Sequence, residues 1–505
     1  MNTRHKVFGA SLLVLAISGC AVTSEPIERS VSEQRARNDL QGMYKDQEPL
    51  SGPLTLHQAM ARAVKYNLEG RLKVMEEALA KRQSDLSSFD MLPRMALSAG
   101  YAGRNNTNAS SSQSVRTGTQ SLEPSTSQDR DRRVADLTMV WNVLDFGVSY
   151  ISAKQQGDQR LIIQERRRKV INTIVQDVRS AYWRAVAAER LLTQIDSLMV
   201  RVDQAQTDSQ NMSEQRIGDP VQALGYQRSL IEATRQLQEQ RRALSLAKTE
   251  LATLINLPMG TDLKLATPDD YVVPQLKVNL ASLEQEALAN RPELREQDYQ
   301  TRISAAETRK AMLRLLPGLE FSAGGHYDSN SFLVDNRWAD YGAKITWNLF
   351  NVISAPAAID VAKAGEEVAT ARRQAMSIAV LAQVYVANAN FQDAVRQFKT
   401  NEQLANIDGQ ILTQLRNRHQ AAGLGELDLI QGELNTLQAD LRRDLAYADL
   451  RNAYGQIFAS AGLDPLPEQL DSDRVQTIAT ALASRESAWA AGNIVTAPVP
   501  RAVAH

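Results

Sequence analysis

The residue with the clearest chemical opportunity in this 505-residue chain is Cys20, its single cysteine. A lone cysteine cannot form an internal disulfide, so its thiol is open to covalent modification. Other reactive groups do not combine. The five histidines (His5, His57, His326, His419, His505) are scattered, and none pairs at metal-ligand spacing. No His-Glu-x-x-His, phosphate-binding loop, Gly-x-Ser-x-Gly or dinucleotide fingerprint occurs, so the sequence points away from an enzyme and implies no cofactor or metal. Gly423-Leu424-Gly425 is glycine-rich but follows a helical pattern, where a turn is expected rather than a nucleotide site. The sharpest charge cluster is Glu165-Arg166-Arg167-Arg168-Lys169. It reads either as a contact for anionic headgroups or a partner, or as a solvated helix face.

The elements that would carry these residues come in two copies. Leu92-Pro93 recurs as Leu316-Pro317, 224 residues later, and Leu54-x-Leu56 recurs as Val278-x-Leu280 at the same offset. Trp141-Asn142-Val143 recurs as Trp347-Asn348-Leu349, and Asn256-Leu257 as Gly462-Leu463, both 206 residues later. Two constant offsets mean two structural repeats separated by one length change. The first copy has 18 more residues between its Leu-Pro and its Trp-Asn. That insertion, about 105 to 133, is rich in Ser, Thr, Asn and Gln and predicts a flexible exposed loop.

Each copy predicts a helix (54 to 90; 280 to 314) stopped at its Leu-Pro. Two alternating segments follow. Leu137, Met139, Trp141 and Val143 share one face in the first copy; Tyr341, Ala343, Ile345, Trp347 and Leu349 share one in the second. Gly342, Lys344, Thr346 and Asn348 fall on the other face. Partner strands are expected at 95 to 104 and 319 to 328, with Leu319, Phe321, Ala323 and Tyr327 outward. Segments of about ten residues with one apolar and one polar face suit transmembrane barrel strands; a half-buried strand of a soluble sandwich is the alternative.

A very long helix follows each hairpin. The first is expected from about Val148 to Ile217, roughly 105 Å at 1.5 Å per residue. Ile171, Ile174, Val178, Ala181, Ala185, Ala188, Leu192, Ile195, Met199 and Val202 step by three and four, the spacing of a left-handed supercoil. The second is expected to open at Ser354-Ala355-Pro356, with proline in its first turn. Turns at Gly218 and at Gly423 and Gly425 lead into shorter helices of about 36 residues. Two short helices end to end match one long helix in length.

The ends bound localisation. Arg4 and Lys6, then an apolar run from Val7 to Ile17, read as a secretory signal. Ile17-Ser18-Gly19-Cys20 resembles the bacterial lipobox, whose cysteine is lipidated; a signal peptide with a chance cysteine is the alternative. Formal net charge is −1, which argues against a nucleic-acid partner. Residues 21 to 50 read as polar and irregular. The expected divisions are 1–19 signal peptide, 20–53 lipidated N-terminal segment, 54–257 first repeat, 258–277 equatorial linker, 278–463 second repeat, and 464–505 a second equatorial segment with a disordered tail.

Over about residues 54 to 463 the chain resembles the TolC-like outer-membrane efflux and secretion channels. The resemblance lies in Ala63-Val64-Lys65-Tyr66-Asn67-Leu68, Ala287 to Leu294 (with Asn290-Arg291-Pro292), the two Leu-Pro strand entries, and Arg418-x-x-x-x-Gly423 followed by Leu427-Asp428-Leu429-Ile430-Gln431. His419 replaces the family's tyrosine, and the turn after Gly423 is one residue short. The resemblance implies an α+β membrane protein. In it, a homotrimer closes a 12-stranded barrel with four strands per chain, continued by a periplasmic α-helical coiled-coil barrel. Leu137, Trp141, Ile345, Trp347 and Leu349 would then face outer-membrane lipid. It also implies a periplasmic aperture lined by Asp428, with Gln431 in place of a second acid and Glu426 nearby. A lipidated exit duct working with a periplasmic adaptor and an inner-membrane pump of the resistance-nodulation-division type is the implied function. A channel for type I protein secretion is the alternative, and a structural coiled-coil envelope lipoprotein is the alternative of a different class.

Overall fold

The computed structural model describes residues 25–214, 220–268, 270–421, 425–467 and 470–494. Cys20, the signal segment, Gly218, Gly423 and the tail beyond 494 lie outside the described residues. The chain divides into two compact units, Met1–Pro49 and Leu50–His505.

In the first unit, α1 (Arg29–Met43) replaces the expected irregular segment. No residue of it is buried. Local pairs support it instead: Arg29 Nε donates to Glu33 at 2.8 Å and Gln34 to Asn38 at 3.1 Å, both one helical turn apart.

The second unit runs through α2 (Leu56–Tyr66), α3 (Leu68–Ser87), β1 (Arg94–Gly103), β2 (Ala109–Ser110), β3 (Ser125–Thr126), β4 (Asp131–Asn142), α4 (Val143–Glu214) and α5 (Pro220–Leu254). It continues through α6 (Leu280–Asn290), α7 (Pro292–Leu313), β5 (Gly318–Asp328), β6 (Arg337–Thr346), α8 (Leu349–Gln420), α9 (Glu426–Ser460) and α10 (Val475–Ala490). The two long helices have 72 residues each, about 108 Å at 1.5 Å per residue. The helices following them, α5 and α9, have 35 residues each.

The expected single helices 54–90 and 280–314 are each broken near one third of their length. Asn67 leaves the helix with ψ 128° and caps α3, accepting from Glu69 N and Gly70 N. Its amide also donates to Leu254 O, the last residue of α5, at 3.0 Å. In the second copy Arg291 takes that place, with Pro292 opening α7. Its Nη1 donates to Ala459 O near the end of α9 at 3.0 Å. Different side chains thus close the same joint, where two short helices meet end to end.

The joints sit at the middle of the long helices. Leu56, Ala59, Met60 and Ala63 of α2 pack with Ile174, Val178, Ala181 and Ala185 of α4 and with Leu251 and Ile255 at the end of α5. Leu283, Ala287 and Leu294 pack with Val380, Val384 and Phe391 of α8 and Ile457 and Phe458 of α9. Asn256 (φ 53°) and Gly462 (φ 72°) end α5 and α9 in the left-handed conformation. Leu257 N bonds to Ala252 O and Leu463 N to Phe458 O, the six-residue closure of a Schellman turn. That shared cap explains why Asn-Leu and Gly-Leu recur. Ile174, Val178, Ala181, Ala185, Ala188, Ile195 and Val202, read as the supercoil seam, are all buried.

The 258–277 linker and α10 fill the same level. Leu54 bridges Leu265 in parallel, and Tyr182 reaches Leu54 O at 3.1 Å and Ala266 O at 2.8 Å. Val475, Ile478 and Leu482 of α10 join the first core, while Trp489 stacks on Phe458 of the second at 4.9 Å.

The four main strands form one antiparallel sheet in the order β1-β4-β5-β6. Asn142, the last residue of β4 as expected, also caps α4, accepting from Leu144 N and Asp145 N, whereas Asn348, read as a strand residue, lies beyond β6 and caps α8, accepting from Phe350 N. Consequently α8 begins at Leu349, and Pro356 lies inside it rather than opening it. The long loop is also more ordered than expected. β2 and β3 pair, and Asn330 of the second hairpin binds Asp129 N and Ser127 O at its base.

Candidate functional site

The sheet sorts its side chains by register. Leu97 faces Leu137, Met95 faces Met139, and Trp141 faces Phe321. Phe321 faces Ala343, Leu319 faces Ile345, and Ala323 faces Tyr341. Directly opposed residues of an antiparallel pair point to the same side, so one apolar band crosses all four strands. It is uncovered: Tyr341 is 92% exposed and Leu97 78%. The other face carries Arg132 paired to Asp328 at 3.2 Å, Glu320 opposite Lys344, and His326 between Asp136 and Asp340. Among the described residues β1 and β6 each have one neighbour in this sheet, leaving two open edges.

Leu137, Trp141 and Ile345 lie in the apolar band. Trp347 and Leu349 do not belong to the strand. β6 ends at Thr346 because Asn348 turns the chain into α8, and the Trp347 indole donates to Leu315 O at 3.1 Å. Both remain exposed, at the junction of sheet and helices.

At the opposite end of the long helices, α9 starts just after Gly425, whose ψ of 156° makes it the N-cap. Ile430, Leu434 and Leu437 turn inward and pack on Ile195, Leu198 and Val202 of α4 and Leu230 and Leu237 of α5. Asp428 and Gln431, one turn apart, therefore point outward. With Asp408, Ile411, Leu415 and Asn435 they line an open groove of about 430 Å³ along α8 and α9. Gly432 lets those helices approach: a Cβ there would collide with Leu415.

Glu426 has a different setting. Arg201 of α4 donates to it at 2.7 Å, and His419 Nε2 lies 3.3 Å away. Arg201 also holds Glu433, to which Arg416 donates at 3.1 Å. Burial pulls the Arg201 guanidinium down, but Glu426 and Glu433 outweigh it and raise it. Glu426 is thus paired to the Arg201 guanidinium, whereas Asp428 has no ionic partner among the described residues. Arg201 carried no signal in the sequence, since both its partners are more than 200 residues away.

The basic cluster is part solvated face, with Arg166 and Lys169 exposed, and part ion-paired seam. Arg166 pairs with Glu296 at 2.6 Å, Arg167 with Glu77 at 3.0 Å, Arg168 with Asp464 at 2.8 Å and Lys169 with Glu293 at 3.3 Å. Glu165 is buried, and that burial raises its carboxyl against the pull of Arg168 and Arg295. The cluster is an ion-paired seam that joins α4 to both repeats rather than a free basic patch.

Residues 283–462 match the family described as Outer membrane efflux protein. No curated protein sequence matches the chain. Among solved structures, the fold is similar to the CmeC outer membrane channel of Campylobacter jejuni (13% identity, TM-score 0.64, 87% of this chain and 93% of that one). It is also similar to the open state of the MtrE outer membrane channel of Neisseria gonorrhoeae (20%, 0.60, 79% and 88%). A third is the outer membrane protein VceC of Vibrio cholerae (14%, 0.59, 81% and 96%). The second repeat of this chain thus matches the outer membrane efflux protein family, and its fold is similar to that of outer-membrane channels along most of its length.

Proposed function

We propose that the protein is a passive exit duct of a tripartite efflux system, assembled from three copies. The observation that supports this most is the four-stranded sheet, with two open edges, an uncovered apolar face and a charged opposite face. Open edges and a bare apolar face are unfavourable in a chain standing alone. Joining β1 of one copy to β6 of the next removes both edges. Three copies give 12 strands, enough to leave an aqueous lumen, which four cannot. The apolar band then meets lipid and the polar face lines the lumen. A structural envelope tether has no use for such a sheet.

In this reading residues 1–19 are removed and Cys20 carries a lipid anchor on the 20–53 segment. The repeats 54–257 and 278–463 build the barrel and a periplasmic tunnel, with 258–277 and 464–505 girdling its middle. The tip bearing Asp428 and Gln431 faces a periplasmic adaptor and an inner-membrane pump that supplies the cargo and the energy. The duct itself performs no covalent chemistry.

Electrophoresis without boiling, paired with planar-bilayer recording, tests this. A trimer band that collapses on heating, together with discrete conductance steps, is expected. A monomer in mild detergent that gives no conductance would overturn it. Mass spectrometry of the mature N-terminus tests the anchor separately: an unmodified Cys20, or a mature start elsewhere, would remove that part.

A further inference from the structure

The polar face of the sheet holds a cluster that crosses all four strands. His326 lies on β5, with Asp136 of β4 opposite it on one side and Trp338 of β6 on the other. Its Nδ1 is 2.7 Å from Asp136 Oδ1. Its Nε2 is 3.2 Å from Asp340 Oδ2, an ion-pair distance off the line of a well-aligned hydrogen bond. The Trp338 ring stacks on the imidazole at 5.2 Å with 19° between planes. Ser98 of β1 donates to the second Asp136 oxygen at 3.3 Å. Gly324 creates the slot for the ring: a Cβ there would meet His326 Nε2 at 2.6 Å and Asp340 at 2.8 Å.

Carboxylates only accept hydrogen bonds, and a neutral imidazole has a single N–H to donate. Facing a carboxylate at each nitrogen, His326 satisfies both only as the imidazolium. A carboxylate stands within ion-pair distance of each ring nitrogen, and among the described residues no group of His, Cys, Asp and Glu is arranged to hold a metal. The remaining charges on this face are Arg94 of β1, Arg132 of β4, Glu320 and Asp328 of β5, and Lys344 of β6. With Asp136 and Asp340 included, four carboxylates stand against three fixed cations. The proton on His326 therefore decides whether the face carries zero or one net negative charge per chain.

We propose that His326 is the titrating residue that sets the charge selectivity of the lumen, tying β4 to β6 through Asp136 and Asp340 when protonated and leaving an anionic wall when not. The proposal rests on the reading that this face lines a channel. In a trimer the change triples, and charges on the walls of a narrow aqueous passage act strongly on passing ions.

The test is the reversal potential of the full-length protein in a planar bilayer under a KCl gradient, at about pH 5 and about pH 8, the span in which histidine changes charge. Wild type is expected to become more cation-selective at the higher pH. His326→Gln is expected to hold the high-pH selectivity at both ends. Asp340→Asn is expected to move selectivity toward anions at both ends while keeping the pH shift, and it carries the test should His326→Gln fail to insert. Conductance whose selectivity ignores pH, a shift that survives in His326→Gln, or an Asp340→Asn variant identical to wild type each overturn this proposal alone. Absence of any conductance overturns the channel reading and this proposal with it.

Discussion

Arg201, deep in the distal part of α4, donates to the carboxylate of Glu426, the first residue of α9, at 2.7 Å. One residue belongs to the first repeat and the other to the second, so this contact ties the two repeats together at the tip. Arg201→Ala would strip Glu426 and Glu433 of that guanidinium. Both pairs are partly exposed, so solvent screening limits the loss to about 1 kcal/mol. If the tip is the gate, that is roughly a fivefold shift toward the open state. Single-channel open probability should rise accordingly, and an unchanged value would separate this contact from gating.

The Asp428 carboxylate stands on the outward side of α9 and lacks an ionic partner among the described residues. Three copies around an axis would present three such charges at the aperture, with neutral Gln431 one turn further on. Asp428→Ala should relieve block by divalent cations and lower cation preference, whereas Gln431→Ala should do neither. Bilayer recordings with and without added divalent ions check this. Identical block in the Asp428 variant would place that face toward the adaptor or solvent instead.

Depth along the sheet should decide the cost of a charge on its apolar side. Leu137, midway along β4, faces Leu97 and Gly325. Leu137→Arg should cost about 2–4 kcal/mol in a lipid-facing position. Ile345 sits at the helical end of β6 opposite Leu319, where the same change should cost only about 0–1 kcal/mol. Thr138→Arg, on the polar face, should be tolerated. Yield of heat-modifiable trimer ranks the three, and equal yields would contradict the assigned faces.

Glu486 of α10 should make the middle of the molecule acid-sensitive. Burial pushes its carboxyl up, but His57, Arg179 and Arg451 outweigh that and hold it at about 2, below the usual value of 4.5. His57 Nε2 lies 2.9 Å and Arg451 3.2 Å from it. A depressed carboxyl stabilises the fold fully above its unfolded value, and that contribution is lost as pH falls from about 4.5 to about 2. The shift corresponds to about 3 kcal/mol. Melting temperature should therefore fall across that window, and Glu486→Gln should be less stable at neutral pH with a flatter acid limb. A wild-type melting temperature constant from about pH 5 to about pH 2 would refute this.

Local pattern made the elements legible in the sequence. Alternation with period two marked the strands, three-four spacing marked the long helices, and each Leu-Pro marked where a helix gives way to a strand. Those signals act between near neighbours, because backbone geometry repeats every two or 3.6 residues. The paired offsets then fixed the order of elements. Capping chemistry was harder to see: Asn142 and Asn348 matched a strand pattern, yet their side chains bind helix N–H groups, so Trp347 and Leu349 left the strand. The tertiary structure alone decided which charges meet. Arg201 with Glu426, Arg168 with Asp464, and His326 with Asp136 lie 225, 296 and 190 residues apart in the chain. An ion pair across packed elements depends on which faces come together, and no periodicity within either segment encodes its partner. That is why Asp428 could be named as a candidate only through the resemblance of Leu427-Asp428-Leu429-Ile430-Gln431 to a family motif, while the paired Glu426, the paired basic cluster and the histidine between two carboxylates emerged only when the repeats were folded against each other.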